Sequence, residues 1–190
     1  MFRHYFFPLL IIGASALLEY FSMTEVLQYD RVAIEGGEYW RLLSGNLVHL
    51  GVNHLILNAA GFALVVALVW RYYSAVEWVL ILLVCSAAVG VGLYFLVPDL
   101  RWYVGLSGVL HGLLLAGACV EIQRYPHTGW PLLLLVVGKL IYEQLTGPMP
   151  GSEWAAGGAV VVQSHLYGGA AGLLMGWWLG FRSENENNYE

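Results

Sequence analysis

Six long apolar runs, separated by shorter polar segments, dominate the pattern of hydrophobic and polar positions along the chain. Each run approaches the length of about 20 mostly apolar residues that a helix needs to cross the hydrocarbon core of a bilayer. The runs extend over residues 5–21, 51–70, 76–97, 105–120, 129–145 and 159–181. The pattern therefore predicts an all-α polytopic membrane protein, a bundle of six transmembrane helices.

The segments between the runs are short and polar or rich in proline and glycine, except for the long first loop at 22–50. This layout predicts a single six-helix domain over residues 1–182 and a polar C-terminal tail over 183–190. The first run contains Ala14-Ser15-Ala16, which resembles a signal-peptide cleavage site. Because the chain begins at Met1, an uncleaved first helix is the favoured interpretation.

Composition agrees with a membrane protein, since 59% of the 190 residues are apolar and only 11% are charged. A soluble domain of this length would carry roughly a quarter charged residues. The net charge of −5 is spread over the loops and the tail, and no basic patch points to nucleic acid. The expected partners are therefore the lipid bilayer and a membrane-anchored protein, and no nucleic acid.

The arginines give a weak preference for orientation. With the N-terminus in the cytoplasm, four arginines lie inside and three outside, in the direction of the positive-inside rule. The inside group is Arg3, Arg71, Arg124 and Arg182, and the outside group is Arg31, Arg41 and Arg101. Both termini are then expected in the cytoplasm, and the second, fourth and sixth helices begin at the outer face.

These three helices place polar residues at one level. At 1.5 Å per residue, His54 and Asn58 lie roughly 5 to 10 Å below the start of the second helix. Ser107 in the fourth helix and His165 in the sixth lie at a similar depth. Polar side chains are costly in lipid and tend to be functional. We therefore expect one polar site near the outer surface.

Small residues spaced by four predict close packing of the fourth and sixth helices. They are Gly108, Gly112 and Ala116 on the fourth helix, and Gly168, Gly172, Gly176 and Gly180 on the sixth. Such spacing lets two helix backbones approach closely. This approach is what would bring His165 within hydrogen-bond reach of Ser107.

Together these residues supply the parts of acyl transfer. A serine hydroxyl becomes nucleophilic when a nearby base takes its proton, and His165 is the natural base for Ser107 because imidazole titrates near neutral pH. The oxyanion that forms needs hydrogen-bond donors already aimed at it. Asn58, His54 and the Ser107 backbone N–H, at the start of a helix, offer such donors. No metal or cofactor is implied.

A third triad member is not expected, because the only aspartates, Asp30 and Asp99, fall in predicted loops. The same count disfavours an aspartyl intramembrane protease, and HExxH, the commonest zinc protease motif, is absent from the sequence. The fifth helix carries Lys139 and Glu143, four residues apart and able to pair. Lys139 as the serine's base, and Glu143 as a contact of substrate or His165, remain alternatives.

In the motifs around these residues, the chain resembles the rhomboid intramembrane serine proteases. GLSG at 105–108 matches the family's GxSG nucleophile motif. HLILN at 54–58 matches HxxxN, and HLYGGAAG at 165–172 matches HxxGxxxG. The pair Trp40-Arg41 matches the WR of the long first loop, and His49 a further histidine before the second helix.

The resemblance implies a Ser107–His165 dyad, with His54, Asn58 and the Ser107 amide as the oxyanion hole. It also implies that the first loop is a structural support lying partly in the membrane. In many rhomboids a tyrosine follows the serine by four and stacks on the catalytic histidine, and His111 holds that place here. The supporting positions carried over in this way are Gly105, Gly108, His111, Trp40, Arg41, Gly168 and Gly172.

Within the family, the compact six-helix chain, GLSGVLHG and the Lys/Glu fifth helix are most similar to the bacterial rhombosortases. This resemblance implies substrates with a C-terminal sorting tail (GlyGly-CTERM): a Gly-Gly motif, one membrane helix and a basic end. Cleavage at the bacterial inner membrane, in a site open to the periplasm, would release a secreted or surface protein.

Three other functions remain open: a rhomboid protease with other single-pass substrates, a non-catalytic rhomboid-like binder, and a transporter that uses Lys139, Glu143 and the histidines. The segment at 146–158, rich in glycine and proline, is a candidate mobile cover that forms a gate with the fifth helix. Its alternative is an ordinary connection.

Overall fold

The protein is described by a computed structural model, in which the backbone of residues 2–187 and the side chains of residues 6–180 are defined. Its helices are α1 (Phe2–Tyr20), α2 (Thr24–Leu27), α3 (Arg31–Glu35), α4 (Arg41–Ser44), α5 (Val52–Leu68), α6 (Ala75–Leu96), α7 (Ser107–Arg124), α8 (Pro126–Thr146), α9 (Ser152–Ala156) and α10 (Val162–Asn187). A 3-10 turn, Trp70–Tyr72, follows α5. The six long helices α1, α5, α6, α7, α8 and α10 coincide with the six predicted apolar runs to within a few residues, and the mainly helical fold is confirmed.

Not every long helix is both long and apolar enough to cross a membrane. Among the described residues, Ala75–Leu96 alone is both long and apolar enough to span a bilayer, and Phe6–Tyr20 and Val52–Leu68 are shorter apolar helices. Six crossings therefore remain a prediction.

Large apolar side chains nevertheless point outward around the long helices. Val76, Phe95, Leu135, Leu145 and Leu174 are between 67% and 79% exposed. An apolar outer surface of this extent marks a region that meets lipid or another apolar partner. The outer surface is therefore suited to a bilayer.

The predicted close approach of two glycine-rich helices is confirmed between α7 and α10. A Cβ atom on Gly168 would lie 2.0 Å from the Gly108 carbonyl oxygen, and one on Gly172 would lie 2.0 Å from that of Gly112. No side chain fits at these distances, so the two backbones are in direct contact. Helix α7 also contacts α5, α6 and α8, which makes it the centre of the bundle.

The long first loop is structured, and Arg31 joins it to the end of α6. The Arg31 guanidinium donates hydrogen bonds of 3.0–3.1 Å to four carbonyl oxygens, those of Leu93, Tyr94, Val97 and Leu100. The last carbonyls of a helix have no partner within the helix and carry partial negative charge, so a cation there is favourable. Arg31 thereby caps α6.

A two-stranded sheet, which the all-α prediction did not include, joins the same loop to the segment before α7. Strand β1 (Tyr29–Asp30) pairs antiparallel with β2 (Trp102–Tyr103), with Tyr29 opposite Tyr103. The ladder is too short to leave an alternating pattern in the sequence. Its effect is to fix the chain just ahead of Ser107.

Arg41 holds the loop together from within. Its guanidinium donates to Glu38 Oε2 at 2.6 Å and to the carbonyl oxygens of Glu25 and Gln28 at 3.0 Å each. These contacts agree with the supporting role that the resemblance implies for Arg41. The neighbouring Trp40 is 54% exposed, and its role stays a prediction.

Helix α10 continues to Asn187, and so includes part of the predicted tail at 183–190. Residues 188–190 lie outside the described residues. The side chains of Arg3 and Arg182, two of the four arginines predicted on the cytoplasmic side, lie outside the described side chains.

Candidate active site

Ser107 is the first residue of α7, and a tight backbone turn places it there. Gly105 has a φ of +119°, a conformation that side-chain-bearing residues rarely adopt. Its N–H donates to the Gly45 carbonyl at 3.0 Å, and its own carbonyl accepts from the Tyr103 hydroxyl at 2.6 Å. The first N–H groups of a helix have no partner within it, so the Ser107 N–H faces away from the helix as a donor.

The predicted contact between the fourth and sixth helices is present. The Ser107 Oγ lies 2.9 Å from His165 Nε2, although 58 residues separate them in the chain. His165 is 5% exposed and lies in the first turn of α10, next to the glycine contact with α7. The distance is that of a good hydrogen bond between a hydroxyl and an imidazole nitrogen.

Glu143 lies on the other side of the same imidazole, which confirms the alternative in which Glu143 contacts His165. His165 Nδ1 donates to Glu143 Oε2 at 2.8 Å, and Lys139 Nζ donates to Glu143 Oε1 at 2.7 Å. From the sequence, the Lys139–Glu143 pair and a contact of Glu143 with substrate or His165 were separate interpretations. A carboxylate has two oxygens, and Glu143 uses one for each.

A signal for Glu143 was present in its position. It lies in the last turn of α8, while Ser107 and His165 lie in the first turns of α7 and α10. Because α8 runs in the opposite direction, all three reach the same end of the bundle. Lys139, proposed as one alternative base for Ser107, is bonded to Glu143 instead.

His54 lies beside the turn that carries Ser107. Its Nδ1 accepts a hydrogen bond from the Leu50 N–H at 3.3 Å, so in the neutral ring the proton is on Nε2. A Cβ atom on Gly105 would lie 2.6 Å from His54 Cε1, so the ring rests against the Gly105 backbone. The predicted oxyanion donor therefore lies beside the turn that carries Ser107.

Asn58 lies one turn further along α5 and is 3% exposed. Its side-chain amide donates one hydrogen bond to the His54 carbonyl at 3.0 Å, which leaves the second N–H for another acceptor. Asn58 also lines the cavity in front of Ser107. Both predicted oxyanion residues thus meet the same space.

His111 stacks on His165, although the resemblance describes this stacking for a tyrosine and not for a histidine. The two rings lie 4.4 Å apart at an angle of 23°. His111 Nδ1 donates to the Ser107 carbonyl at 2.7 Å, which fixes the ring one turn below the serine. A histidine therefore holds the place that tyrosine holds in many rhomboids.

His49 lies behind the oxyanion residues, in the loop before α5. It is 1% exposed, and its ring meets that of His54 edge-on at 5.2 Å. Burial, with the nearby His54 as a second cause, lowers the pKa of His49 to about 4. His49 is therefore a neutral ring at physiological pH.

A cavity of about 360 Å³ lies between α5 and α8, in front of Ser107. Its lining is mostly apolar, with leucines and valines from α5, α7 and α8, and residues of α9 close one side. The polar lining residues are His54, Asn58, Ser107, His111, Lys139, Glu143, Ser152 and His165. An apolar segment that carries a polar group would match this space.

Three of these residues also form the one group of potential metal ligands among the described residues. The ligand atoms of His111, Glu143 and His165 lie within 4.8 Å of one another. Each side chain already has a hydrogen-bond partner, and the Lys139 ammonium group on Glu143 would repel a cation. These three side chains are therefore better suited to holding a proton than to binding a metal ion.

The known proteins that the chain resembles are rhomboid proteins. Residues 36–182 match the Rhomboid domain. The chain is 22% identical over 144 residues to the putative rhomboid protease YdcA of Bacillus subtilis, covering 76% of this chain and 69% of that protein. It is 30% identical over 90 residues to the rhomboid protease GlpG of Haemophilus influenzae, covering 47% of this chain and 45% of that protein.

Proposed function

The chain belongs to the rhomboid family, and from this we propose that it is an intramembrane serine protease with Ser107 as nucleophile and His165 as general base. The observation that carries the proposal is the 2.9 Å contact between Ser107 Oγ and His165 Nε2. It joins two helices whose backbones touch, and it faces an apolar cavity.

The chemistry follows from these positions. Ser107 Oγ attacks the carbonyl carbon of the substrate while its proton passes to His165 Nε2. The carbonyl oxygen becomes an oxyanion, and His54 Nε2–H, the Asn58 amide and the Ser107 N–H are the donors available to it. The tetrahedral intermediate then collapses, the C–N bond breaks, and the leaving amine takes the proton from Nε2. Water hydrolyses the acyl-enzyme through the same proton transfers.

Substrate would enter from the bilayer through the cavity between α5 and α8. A transmembrane helix hides its peptide bonds, so the segment to be cut must first unwind, which glycine favours. Ser152 and Ala156 of α9 line this cavity together with residues of α8. The segment at 146–158 and α8 are therefore the elements that would move to admit substrate, as the sequence suggested.

The proposed topology has six crossings, with both termini in the cytoplasm and the site near the outer face of the bacterial inner membrane. Supporting this, Ser107, His54 and His165 lie in the first turns of α7, α5 and α10, close to one end of the bundle. A site near one surface has access to the water that hydrolysis consumes.

For the substrate we propose C-terminal sorting tails of the GlyGly-CTERM kind. The support is the similarity of GLSGVLHG and of the Lys139/Glu143 helix to the rhombosortase subfamily. A Gly-Gly pair supplies a backbone that unwinds easily and has no side chain to obstruct the approach of Ser107. The apolar lining between α5 and α8 suits the membrane helix that follows such a pair.

The test uses the full chain in bacterial membranes with a secreted reporter that ends in Gly-Gly, a membrane helix and a basic end. Ser107→Ala and His165→Ala are run beside the wild type. We expect release of the reporter by the wild type alone. A second reporter with the Gly-Gly pair changed to Val-Val, and a third with an unrelated single-pass helix, separate the sorting-tail substrate from a general rhomboid substrate.

Labelling with a fluorophosphonate identifies the reactive serine and requires no knowledge of the substrate. The wild type should be labelled at Ser107, and the Ser107→Ala protein should not. Equal cleavage by all three proteins, or no labelling of the wild type, would overturn the protease in favour of a non-catalytic membrane binder.

A further inference from the structure

We propose that Glu143, itself held by Lys139, is a positioning residue that turns the Ser107–His165 pair into a Ser–His–Glu triad. The proposal rests on the proposed function, and it adds a carboxylate that the motif resemblance does not include. Four side chains form one continuous chain of hydrogen bonds, with distances of 2.9, 2.8 and 2.7 Å from Ser107 to Lys139.

The carboxylate decides which nitrogen of His165 carries the proton. An ionised carboxylate only accepts, so the proton between Glu143 Oε2 and His165 must be on Nδ1. Nε2 then presents a lone pair to the Ser107 hydroxyl, which is the state that a general base needs. When Nε2 takes the serine proton, the resulting imidazolium faces the Glu143 anion. The Nδ1 proton stays on the ring throughout, and the carboxylate keeps its charge.

The Lys139 ammonium group lowers the free-energy cost of burying an ionised Glu143 side chain. The Glu143 side chain is 1% exposed, and an unpaired charge there would be costly. The Lys139 ammonium group supplies the countercharge at 2.7 Å, while its side chain is 31% exposed and lines the cavity. His111, stacked on the face of the His165 ring, and His54, on the side of the oxyanion residues, are further titratable groups near it. The ion pair thus holds Oε2 on His165 and Oε1 on Lys139.

This arrangement predicts an unusual outcome for Glu143→Gln. A glutamine has one carbonyl oxygen and one NH2 group, and the Lys139 ammonium group can accept nothing, so it attracts the oxygen. The NH2 group then faces His165 Nδ1 and forces the proton onto Nε2, which blocks the base. Removing the ammonium group as well, in Lys139→Met/Glu143→Gln, lets the amide turn its oxygen to Nδ1 and restore the working tautomer.

The experiment measures kcat and KM for reporter cleavage by purified protein in detergent, and the rate of fluorophosphonate labelling. Glu143→Gln should lower kcat by about 10²- to 10⁴-fold with KM changed little, since a comparable change at a triad carboxylate costs about 10⁴. The Lys139→Met/Glu143→Gln protein should recover at least about tenfold over Glu143→Gln. Glu143→Asp should keep more activity than Glu143→Gln.

The matched control is Glu121→Gln, which neutralises another buried carboxylate, bonded to Arg71 and Thr128 near the opposite end of α7. It should leave kcat within about threefold of the wild type. A Glu143→Gln protein as active as this control, or a double variant no faster than Glu143→Gln, would overturn the proposal. In either case a cleaving wild type and an inert Ser107→Ala protein would leave the proposed protease intact.

A second measurement needs no Glu143 variant. In wild-type protein labelled with ¹⁵N-histidine, the His165 signals, assigned by their loss in His165→Ala, should show the Nδ1–H tautomer with a strongly hydrogen-bonded proton. An Nε2–H tautomer at neutral pH would overturn the proposal whatever the variants do.

Discussion

The backbone of Gly172 touches that of Gly112, so that a Cβ on Gly172 would lie 2.0 Å from the Gly112 carbonyl oxygen. His165 lies two turns earlier on the same helix and reaches Ser107 only because α7 and α10 are this close. The separation of the helices therefore sets the distance between Ser107 and His165, the proposed nucleophile and base.

We expect Gly172→Ala to impair catalysis more than it impairs folding. The added methyl must push α10 away from α7, and overpacking of this kind costs about 1–3 kcal/mol of stability. A displacement of about 1 Å between reacting groups can cost about 10²-fold in rate. Reporter cleavage and thermal unfolding in detergent would measure the two effects.

Gly138→Ala is the matched control, because a Cβ on Gly138 of α8 meets nothing within 4 Å. Alanine there removes the helix penalty of glycine and should leave stability equal or improved by up to about 1 kcal/mol. Equal activity of the Gly172→Ala and Gly138→Ala proteins would contradict a role for helix separation.

We expect Gly105→Ala to disable the proposed oxyanion site. Its Cβ would lie 2.6 Å from His54 Cε1, and its φ of +119° is unfavourable for alanine. Displacement of His54 should lower kcat by about 10²- to 10³-fold, the usual effect of losing one oxyanion donor. Steady-state cleavage of the reporter would measure it.

Backbone strain and displacement of His54 are separated by Gly37→Ala. Gly37 has a φ of +105°, and a Cβ there meets nothing within 4 Å. This variant should lose about 1–2 kcal/mol of stability with kcat unchanged. If Gly105→Ala also lost only stability and kept its kcat, displacement of His54 would have no part in catalysis.

The stack of His111 on His165 predicts that ring shape matters more than ring polarity. His111→Phe keeps a flat ring at 4.4 Å from His165 and loses only the hydrogen bond to the Ser107 carbonyl. His111→Ala removes both, and a ring pair contributes about 0.5–1.5 kcal/mol beyond buried area, or about 2- to 10-fold. Fluorophosphonate labelling rates should follow the order wild type, Phe, Ala. Faster labelling of the Ala protein than of the Phe protein would contradict the stacking role.

Much of this arrangement could be predicted from the sequence because its causes are periodic. The apolar runs predicted the long helices, and the four-residue spacing of glycines predicted the α7–α10 contact that brings Ser107 to His165. Depth along each helix placed His54 and Asn58 beside them, without any knowledge of side-chain geometry.

What the sequence did not provide depends on three-dimensional choices with no periodic signal. Lys139 and Glu143 suggested an ion pair within one helix, and the contact of Glu143 with His165 was an open alternative, because nothing in their spacing showed which group the second carboxylate oxygen would face. The two-residue ladder of Tyr29 with Tyr103 is likewise too short to alternate visibly. Arg31 satisfies carbonyls more than 60 residues away along the chain, which no local pattern encodes.

The buried His49 predicts an acid-sensitive fold. Its pKa is lowered to about 4, while the unfolded chain titrates near 6.5, so between these values the unfolded state takes up a proton that the folded state excludes. Stability should therefore be unaffected by His49 above pH 6.5 and should fall by up to about 3 kcal/mol as the pH drops from 6.5 to 4. His49→Gln, which cannot be protonated, should lose less stability over the same range. Thermal unfolding of both proteins in detergent at pH 7 and pH 4.5 measures the difference, and parallel losses in the two proteins would assign the acid sensitivity to other groups.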